Sequence, residues 1–235
     1  MITTVLFDLD GTLLPMDQDV FVKAYLGRMA KKLAPYGYDP DFLVKGIWKG
    51  STAMINNDGT STNEEVFWTV FNEVMGRDCR PDEPLFADYY SNEFQQVQQV
   101  CGFEPRSAQV IAELRARGIR VVLATNPLFP AIATYSRIRW AGLNPEDFEI
   151  ITTYENSCRS KPNPDYFRQI LAKLDVSAEN CLMVGNDVDD DMPASEIGMD
   201  VFLLTDSLIN RHNKNIDNYP HGGIEALMTY LRELK

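Results

Sequence analysis

Two aspartates at the end of an apolar segment are the residues of this chain best suited to chemistry. Val5-Leu6-Phe7 precedes Asp8 and Asp10, and residues i and i+2 of a strand point to the same side. We expect both carboxylates in one small volume, where like charges need a cation or a shared proton. Gly11 permits a sharp turn behind them. Taken alone, the segment is also compatible with a plain strand followed by a turn.

Three further segments place polar residues where a strand or loop is predicted to end. Residues 121–124 are apolar and lead into Thr125; Lys161 precedes a proline-rich helix start; residues 182–184 lead into an acidic cluster that begins at Asn186. Together with Asp8-Leu9-Asp10-Gly11-Thr12, these segments resemble the four ordered motifs of the haloacid dehalogenase-like phosphatase superfamily. The resemblance covers nearly the whole chain except the segment between the first and second motifs.

The resemblance implies a role for each motif residue. Asp8 would be a nucleophile that forms an acyl-phosphate, and Asp10 would be the general acid and then the general base. Thr125 would donate its hydroxyl to a phosphoryl oxygen, and Lys161 would stabilise charge on the transferring group. The implied phosphate-binding residues are Asp8, Gly11, Thr125, Asn126 and Lys161.

The resemblance also implies a Mg²⁺ cofactor, since Mg²⁺ prefers oxygen ligands. The implied ligands are Asp8, the backbone carbonyl of Asp10, and Asn186 or Asp187 from the fourth motif. The family usually has Asp where this chain has Asn186, which leaves two alternatives. Either Asn186 is the direct ligand and Asp187 supports its charge, or Asp187 is the direct ligand. The register of the motif favours Asn186. Asp191 would orient Lys161 or a metal-bound water.

The chain beyond residue 103 alternates between predicted strands and helices, which indicates an α/β fold with a doubly wound, mainly parallel, Rossmann-like sheet. Predicted strands cover 119–125, 148–152, 181–184 and 201–204. Predicted helices cover 107–117, 127–140, 164–174, 189–197 and 224–234. In such sheets ligands bind beyond the carboxyl ends of the strands, where Asp8, Thr125 and Asn186 are predicted to converge. Asp189 and Asp190 are interpreted as acidic residues at a helix N-terminus.

Residues 16–96 show apolar side chains at helical spacing and no strand pattern. Thr62-Asn63-Glu64-Glu65 is a capping box that predicts a helix start. This segment resembles the helical cap that many superfamily members insert between motifs one and two. We therefore predict a catalytic core at 1–15 and 97–235 and a cap domain at 16–96.

Composition narrows the functional class. The 235 residues are 45% hydrophobic and carry a net charge of −12, which disfavours nucleic-acid and anionic-membrane partners. No apolar run approaches the ~20 residues of a membrane span, and the first residues lack a basic signal-peptide region. The four cysteines have no zinc spacing, so free thiols in the cytoplasm are expected.

The leading hypothesis is a Mg²⁺-dependent phosphatase that acts on a small phosphorylated metabolite, because a cap excludes large substrates. A phosphomutase would use the same residues, and the sequence does not separate the two. A binding protein without activity, built on a degenerate version of the fold, is favoured only by Asn186. Dehalogenase chemistry is disfavoured by Asp10, which that branch lacks. The sequence does not define the oligomeric state.

Overall fold

Five parallel strands form the central sheet of the computed structural model, which describes residues 1–234. The spatial order is β2-β1-β3-β4-β5. The strands are β1 (Thr4–Phe7), β2 (Arg120–Leu123), β3 (Cys181–Gly185), β4 (Asp200–Leu204) and β5 (His221–Gly222). The side chains of β1 to β4 are buried except at Arg120 and Asp200, as expected for parallel strands covered on both faces, whereas the edge strand β5 is partly exposed.

Helices cover both faces of the sheet, so the predicted doubly wound α/β class is confirmed. One face packs against α5 (Pro105–Ala116), α6 (Ala131–Trp140) and α8 (Ile224–Glu233). The opposite face packs against α7 (Pro164–Leu174) and the 3-10 helix Met192–Ile197. Alternate residues of each strand serve the two faces: Val5 and Phe7 lie in the first core, and Leu6 lies in the second.

The segment between β1 and α5 is helical, as predicted. It contains α1 (Gln18–Leu33), α2 (Pro40–Ile55), α3 (Asn63–Met75) and α4 (Glu83–Ser91), with 3-10 helices Ala34–Tyr36, Arg80–Asp82 and Glu93–Val100. The Thr62 hydroxyl and the Glu65 carboxylate form the expected capping box of α3. We call this helical segment the cap.

The chain enters and leaves the cap at adjacent points. Met16 forms an antiparallel bridge with Cys101, and the Gly102 amide donates to the Pro15 carbonyl at 2.7 Å. The predicted division at residue 96 falls inside the 3-10 helix Glu93–Val100, five residues before this return crossing. Within residues 1–234, no helix is long and apolar enough to cross a bilayer.

Several predicted elements differ from the structure. Residues 148–152 run beside β2 with three backbone hydrogen bonds but form only one bridge, Leu123 to Ile151, instead of a strand. The helix predicted at 127–140 begins at Ala131, because residues 127–130 include two prolines and form a loop. The short strand β5 was not predicted, since its sequence, His221–Gly222, is polar.

The helix predicted at 189–197 is also wrong at its start. Turns precede a 3-10 helix that begins only at Met192, so Asp189 does not lie at an α-helix N-terminus. Instead, the Asp189 carboxylate contacts His212 at 2.9 Å and Lys214 at 2.6 Å. Within the cap, α4 ends at Ser91, and the chain continues as a 3-10 helix after Asn92.

Candidate active site

Asp8 is the first residue beyond β1, and its backbone is held by the neighbouring strands. Phe7 pairs with Leu123 of β2 and Val184 of β3, and the Asp8 amide donates to the Val184 carbonyl at 2.9 Å. The Ala124 amide donates to the Phe7 carbonyl at 2.7 Å, which brings Thr125 to the same edge. The sheet thus places Asp8, Thr125 and Asn186 at three adjacent strand ends.

Lys161 joins the loop before α7 to this edge. Its ammonium donates to Asp8 Oδ1 at 2.8 Å and to Asp191 Oδ1 at 2.7 Å, and its side chain is 1% exposed. Burial alone would lower the pKa of Lys161, but the Asp191 and Asp8 carboxylates outweigh it and hold the pKa well above its usual range. Lys161 is therefore a buried cation in contact with the candidate nucleophile.

The turn after Asp8 leaves just enough room for Asn186. Gly11 has φ +87°, and a Cβ there would lie 2.3 Å from Asn186 Nδ2. The Thr12 hydroxyl donates to Asn186 Oδ1 at 3.0 Å and lies 3.4 Å from Asp8 Oδ2. Asn186 Nδ2 donates to the Ser207 carbonyl at 2.7 Å, so the amide oxygen faces Thr12 and the Asp8 side.

Asp187 uses both of its carboxylate oxygens on protein groups. Oδ1 accepts from the Asp189 and Asp190 amides at 2.8 and 3.2 Å, and Oδ2 accepts from Arg211 Nη1 at 3.0 Å. These contacts stabilise the turn that follows Asn186. Asp187 therefore lies near the site, but its carboxylate oxygens bind the backbone of this turn and Arg211.

Asp191 also serves the turn. Its Oδ2 accepts from the Asp187 amide at 3.0 Å while Oδ1 accepts from Lys161. A Cβ on Gly185 would lie 2.1 Å from the Asp191 carboxyl carbon, so only glycine permits this close approach. Asp191 is thus a link between the lysine and the fourth motif.

Two hydrogen bonds fix the backbone of Thr125. Its carbonyl accepts from the Thr152 hydroxyl at 2.7 Å and from the Tyr166 hydroxyl at 2.9 Å. Its side chain is 2% exposed, just beyond the end of β2. Asn126 Nδ2 donates to Asp190 Oδ2 at 3.1 Å, which leaves the buried Asn126 Oδ1 without a protein partner.

Asp10 pairs with a residue that the sequence reasoning missed. Arg137 of α6 is fully buried and forms an ion pair with Asp10 Oδ2. Its guanidinium also lies 4.3 Å from the centre of the Phe129 ring. Burial raises the pKa of Asp10 and the Asp8 charge adds to this, although Arg137 opposes both. The signal in the sequence was an arginine on the same helix face as Ala133, Ile138 and Ala141.

Asn63 at the start of α3 is a second residue that the sequence reasoning did not assign to the site. Its Nδ2 donates to the Pro127 carbonyl at 3.1 Å and the Ser160 hydroxyl at 3.0 Å, and its Oδ1 accepts from Asn57 Nδ2 at 2.8 Å. Pro127 follows Asn126, and Ser160 precedes Lys161. Asn63 therefore fastens the cap to the loops of the second and third motifs.

The oxygen atoms at this edge of the sheet suit a hard divalent cation. Five carboxylates and three cationic side chains meet here, which leaves a negative surplus, and Asp10 Oδ1 is buried without a protein partner. Among residues 1–234, no group of three or more His, Cys, Asp or Glu side chains has the geometry of a metal site. A Mg²⁺ ion here therefore depends on amide and backbone oxygens as well as a carboxylate.

This arrangement supplies the parts needed for phosphoryl transfer. A carboxylate is in contact with a buried cation, a second carboxyl with a raised pKa lies two residues away, and a buried threonine follows the adjacent strand. Charge neutralisation and positioning are the main contributions a protein makes to this reaction.

Known proteins resemble this chain over most of its length. The haloacid dehalogenase-like hydrolase family matches residues 2–197. A glyceraldehyde 3-phosphate phosphatase of Methanocaldococcus jannaschii is 24% identical over 100% of this chain and 99% of its own. A ribulose-1,5-bisphosphate 5-phosphatase of Halopiger xanaduensis is 25% identical over 88% of this chain and 86% of its own.

A solved structure shows the same fold. The magnesium-bound HAD-hydrolase YfnB of Bacillus subtilis has a TM-score of 0.60 at 22% identity, covering 98% of this chain and 99% of its own. The predicted family is thus confirmed by the family model, and the solved structure shares the fold. The chain belongs to the haloacid dehalogenase-like hydrolase family, in its phosphatase branch.

Proposed function

We propose that this phosphatase hydrolyses a phosphate monoester of a small metabolite, with Mg²⁺ as cofactor and through a phosphorylated Asp8. The observation that carries the proposal is the contact of the buried Lys161 ammonium with Asp8 Oδ1 at 2.8 Å. A buried cation beside a carboxylate is suited to hold an anionic group against a nucleophile. The names of the two relatives, phosphatases of small phosphorylated sugars, support the substrate class.

In the first step, an Asp8 oxygen attacks phosphorus, and the bond from phosphorus to the leaving oxygen breaks. Asp10 gives its proton to that oxygen, a role supported by the raised pKa of its buried carboxyl. Lys161 and the Thr125 hydroxyl stabilise the charge on the phosphoryl oxygens.

In the second step, water attacks the phosphorus of the aspartyl-phosphate and gives a proton to Asp10. The bond between phosphorus and Asp8 breaks, which releases phosphate and restores the carboxylate. Arg137 holds Asp10 in the same position through both steps, because its ion pair lies in the buried core.

We assign the metal position to Asp8, the Asp10 carbonyl and Asn186 Oδ1, with Asp187 in the turn. Asn186 Oδ1 faces Thr12 and the Asp8 side, whereas both Asp187 oxygens are used elsewhere. When bound, Mg²⁺ supplies positive charge to phosphoryl oxygens. The magnesium bound in the B. subtilis structure supports Mg²⁺ as the ion.

We further infer that the cap, predicted at 16–96 and extended by the 3-10 helix to Val100, excludes bulk water from the site during the reaction. The four cysteines are free thiols, which supports the cytoplasm as the compartment.

Turnover of an aryl phosphate with and without Mg²⁺ tests the proposal. We expect activity with Mg²⁺, loss in excess chelator and return on re-addition. Asp8→Asn should fold and retain less than about a hundredth of the wild-type rate. Asp19→Asn on the exposed face of α1 is the matched control and should keep full activity.

Mass spectrometry of a rapidly quenched reaction should find a phosphoryl group on the peptide that contains Asp8. A folded Asp8→Asn variant with substantial activity, or undiminished turnover after verified metal removal, would contradict the proposal.

A further inference from the structure

The Arg137 guanidinium is anchored to its own helix and to the loop before it. Its Nε donates to the Ala133 carbonyl at 3.4 Å, and its Nη2 donates to the Thr134 hydroxyl at 3.3 Å. The Phe129 ring centre lies 4.3 Å from the guanidinium carbon, and the Arg137 side chain is fully buried. A planar guanidinium held at three points presents its remaining nitrogen, Nη1, in one direction, and Nη1 contacts Asp10 Oδ2.

This contact makes the two oxygens of the Asp10 carboxyl group different. Arginine has only donors, so the oxygen that it binds must accept. The unprotonated oxygen of a carboxylic acid is the better acceptor, and the contact therefore keeps Oδ2 free of a proton. Asp10 Oδ1 is buried and has no partner among residues 1–234. The proton of the acid form thus lies on Oδ1.

We propose that Arg137 is a positioning residue that assigns proton transfer to Asp10 Oδ1. In the first step the proton passes from Oδ1 to the leaving oxygen as the bond from phosphorus to that oxygen breaks. In the second step Oδ1 takes a proton from the water that attacks phosphorus. The inference rests on the phosphatase function proposed above and adds the residue that orients its acid and base.

Replacement by lysine separates orientation from charge. Arg137→Lys keeps a buried positive charge beside the Asp10 carboxyl group. A single ammonium, however, does not reproduce the contacts that three guanidinium nitrogens make, so the carboxyl group is no longer held with Oδ1 in one place. Arg139→Lys makes the same chemical change at an exposed position two residues along α6 and is the matched control.

Two esters with different leaving groups show whether proton transfer is what changes. The alkoxide of glycerol phosphate needs a proton to depart, whereas nitrophenolate departs without one. In Arg137→Lys, kcat/KM for glycerol phosphate should fall by at least about tenfold, since general acid catalysis contributes about 10²–10⁴-fold. The kcat/KM for nitrophenyl phosphate should stay within about twofold of the wild-type value. Arg139→Lys should change neither.

The second step gives an independent measurement. With nitrophenyl phosphate, Arg137→Lys should phosphorylate Asp8 at close to the wild-type rate, but the attacking water then lacks a well-placed base. We therefore expect kcat and KM to fall together by at least about tenfold, with a burst of about one nitrophenol per active site. A smaller folded fraction would instead lower kcat/KM equally for the two esters and leave KM unchanged.

Thr134→Val tests the same inference without changing a charge. It removes the acceptor of Arg137 Nη2, so the ratio of kcat/KM for glycerol phosphate to that for nitrophenyl phosphate should fall by at least about twofold. If Arg137→Lys does not fold, this variant decides the question alone, and an unchanged ratio in it would then overturn the inference.

The outcomes separate this inference from the phosphatase function. Equal losses of kcat/KM for the two esters in Arg137→Lys, or no loss for glycerol phosphate, would overturn the positioning role while wild-type turnover leaves the phosphatase function in place. Absence of hydrolysis of either ester by the wild type would refute the phosphatase function, and this inference with it.

Discussion

The guanidinium of Arg137 is paired with the carboxylate of Asp10 inside the protein, although the two residues are 127 positions apart in the chain. Arg137 also contacts the Phe129 ring, and it donates to the Thr134 hydroxyl at 3.3 Å. A buried charge loses its hydration, so each partner of this pair depends on the other. This ion pair connects the orientation of the candidate acid to the packing of α6.

Removal of one partner should therefore destabilise the protein strongly. Arg137→Met should lower the free energy of unfolding by about 3–5 kcal/mol, because it leaves the buried Asp10 carboxyl group without its Arg137 partner. Urea unfolding measures the effect. The matched control is Arg139→Met two residues along α6, where the side chain is exposed and the change should stay within about 0.5 kcal/mol.

The double variant shows whether the loss comes from the pair itself. Asp10→Asn combined with Arg137→Met should cost less than the sum of the two single changes. Additivity within about 0.5 kcal/mol would mean that the two side chains do not stabilise each other.

Gly11→Ala should impair the site through Asn186. The new Cβ would lie 2.3 Å from Asn186 Nδ2, so the amide must move, and we expect a higher Mg²⁺ concentration for half-maximal activity. Gly37 has the same φ of +87° but no heavy atom within 4 Å of its added Cβ. Gly37→Ala therefore carries only the backbone strain, of about 1–3 kcal/mol, and should leave the Mg²⁺ requirement unchanged. Equal Mg²⁺ requirements in the two variants would contradict the role of this close approach.

The two candidate ligands of the fourth motif can be separated by alanine. Asn186→Ala should raise the Mg²⁺ concentration for half-maximal activity more than Asp187→Ala does, and Asn186→Asp should be tolerated because it adds a charge next to the metal. Circular dichroism serves as the folding control. The reverse order would make Asp187 the ligand.

Asn63→Ala should affect both stability and catalysis. It removes the buried amide that joins the cap to the Pro127 carbonyl and the Ser160 hydroxyl, and each group left unsatisfied costs about 1–3 kcal/mol. We expect a several-fold lower kcat/KM, because Pro127 follows Asn126 and Ser160 precedes Lys161, so both site residues lose a support.

Thr62→Ala, one residue earlier, is the control for this change. It removes the helix cap of α3 and should cost about 1 kcal/mol without changing kcat/KM. An Asn63→Ala variant with unchanged kcat/KM would show that the link serves stability alone.

Local patterns predicted the features that depend on neighbouring residues. The capping box at Thr62 and the strand before Asp8 are examples, and the meeting of Asp8, Thr125 and Asn186 follows from parallel strands whose ends share an edge. The pairing of Arg137 with Asp10 depends on where α6 docks against the first motif, and no local pattern carries that information.

The departures have similar causes. Residues 148–152 have the composition of a strand, but they run beside β2 and form only one bridge with it. Whether Asn186 or Asp187 faces the metal depends on the turn between them, where the Asp187 carboxylate accepts from two backbone amides. The place of residues 148–152 in the fold thus overrides their strand preference, whereas the contacts of Asp187 Oδ1 lie within its own turn.

The adjacent entry and exit of the cap, where Met16 bridges Cys101, have an evolutionary consequence. An insertion that begins and ends at one place can be lengthened, shortened or exchanged without moving β1 or the residues after it. Changes within the cap helices therefore leave Asp8, Thr125 and Asn186 at their strand ends as long as the contacts of Asn63 with Pro127 and Ser160 are kept.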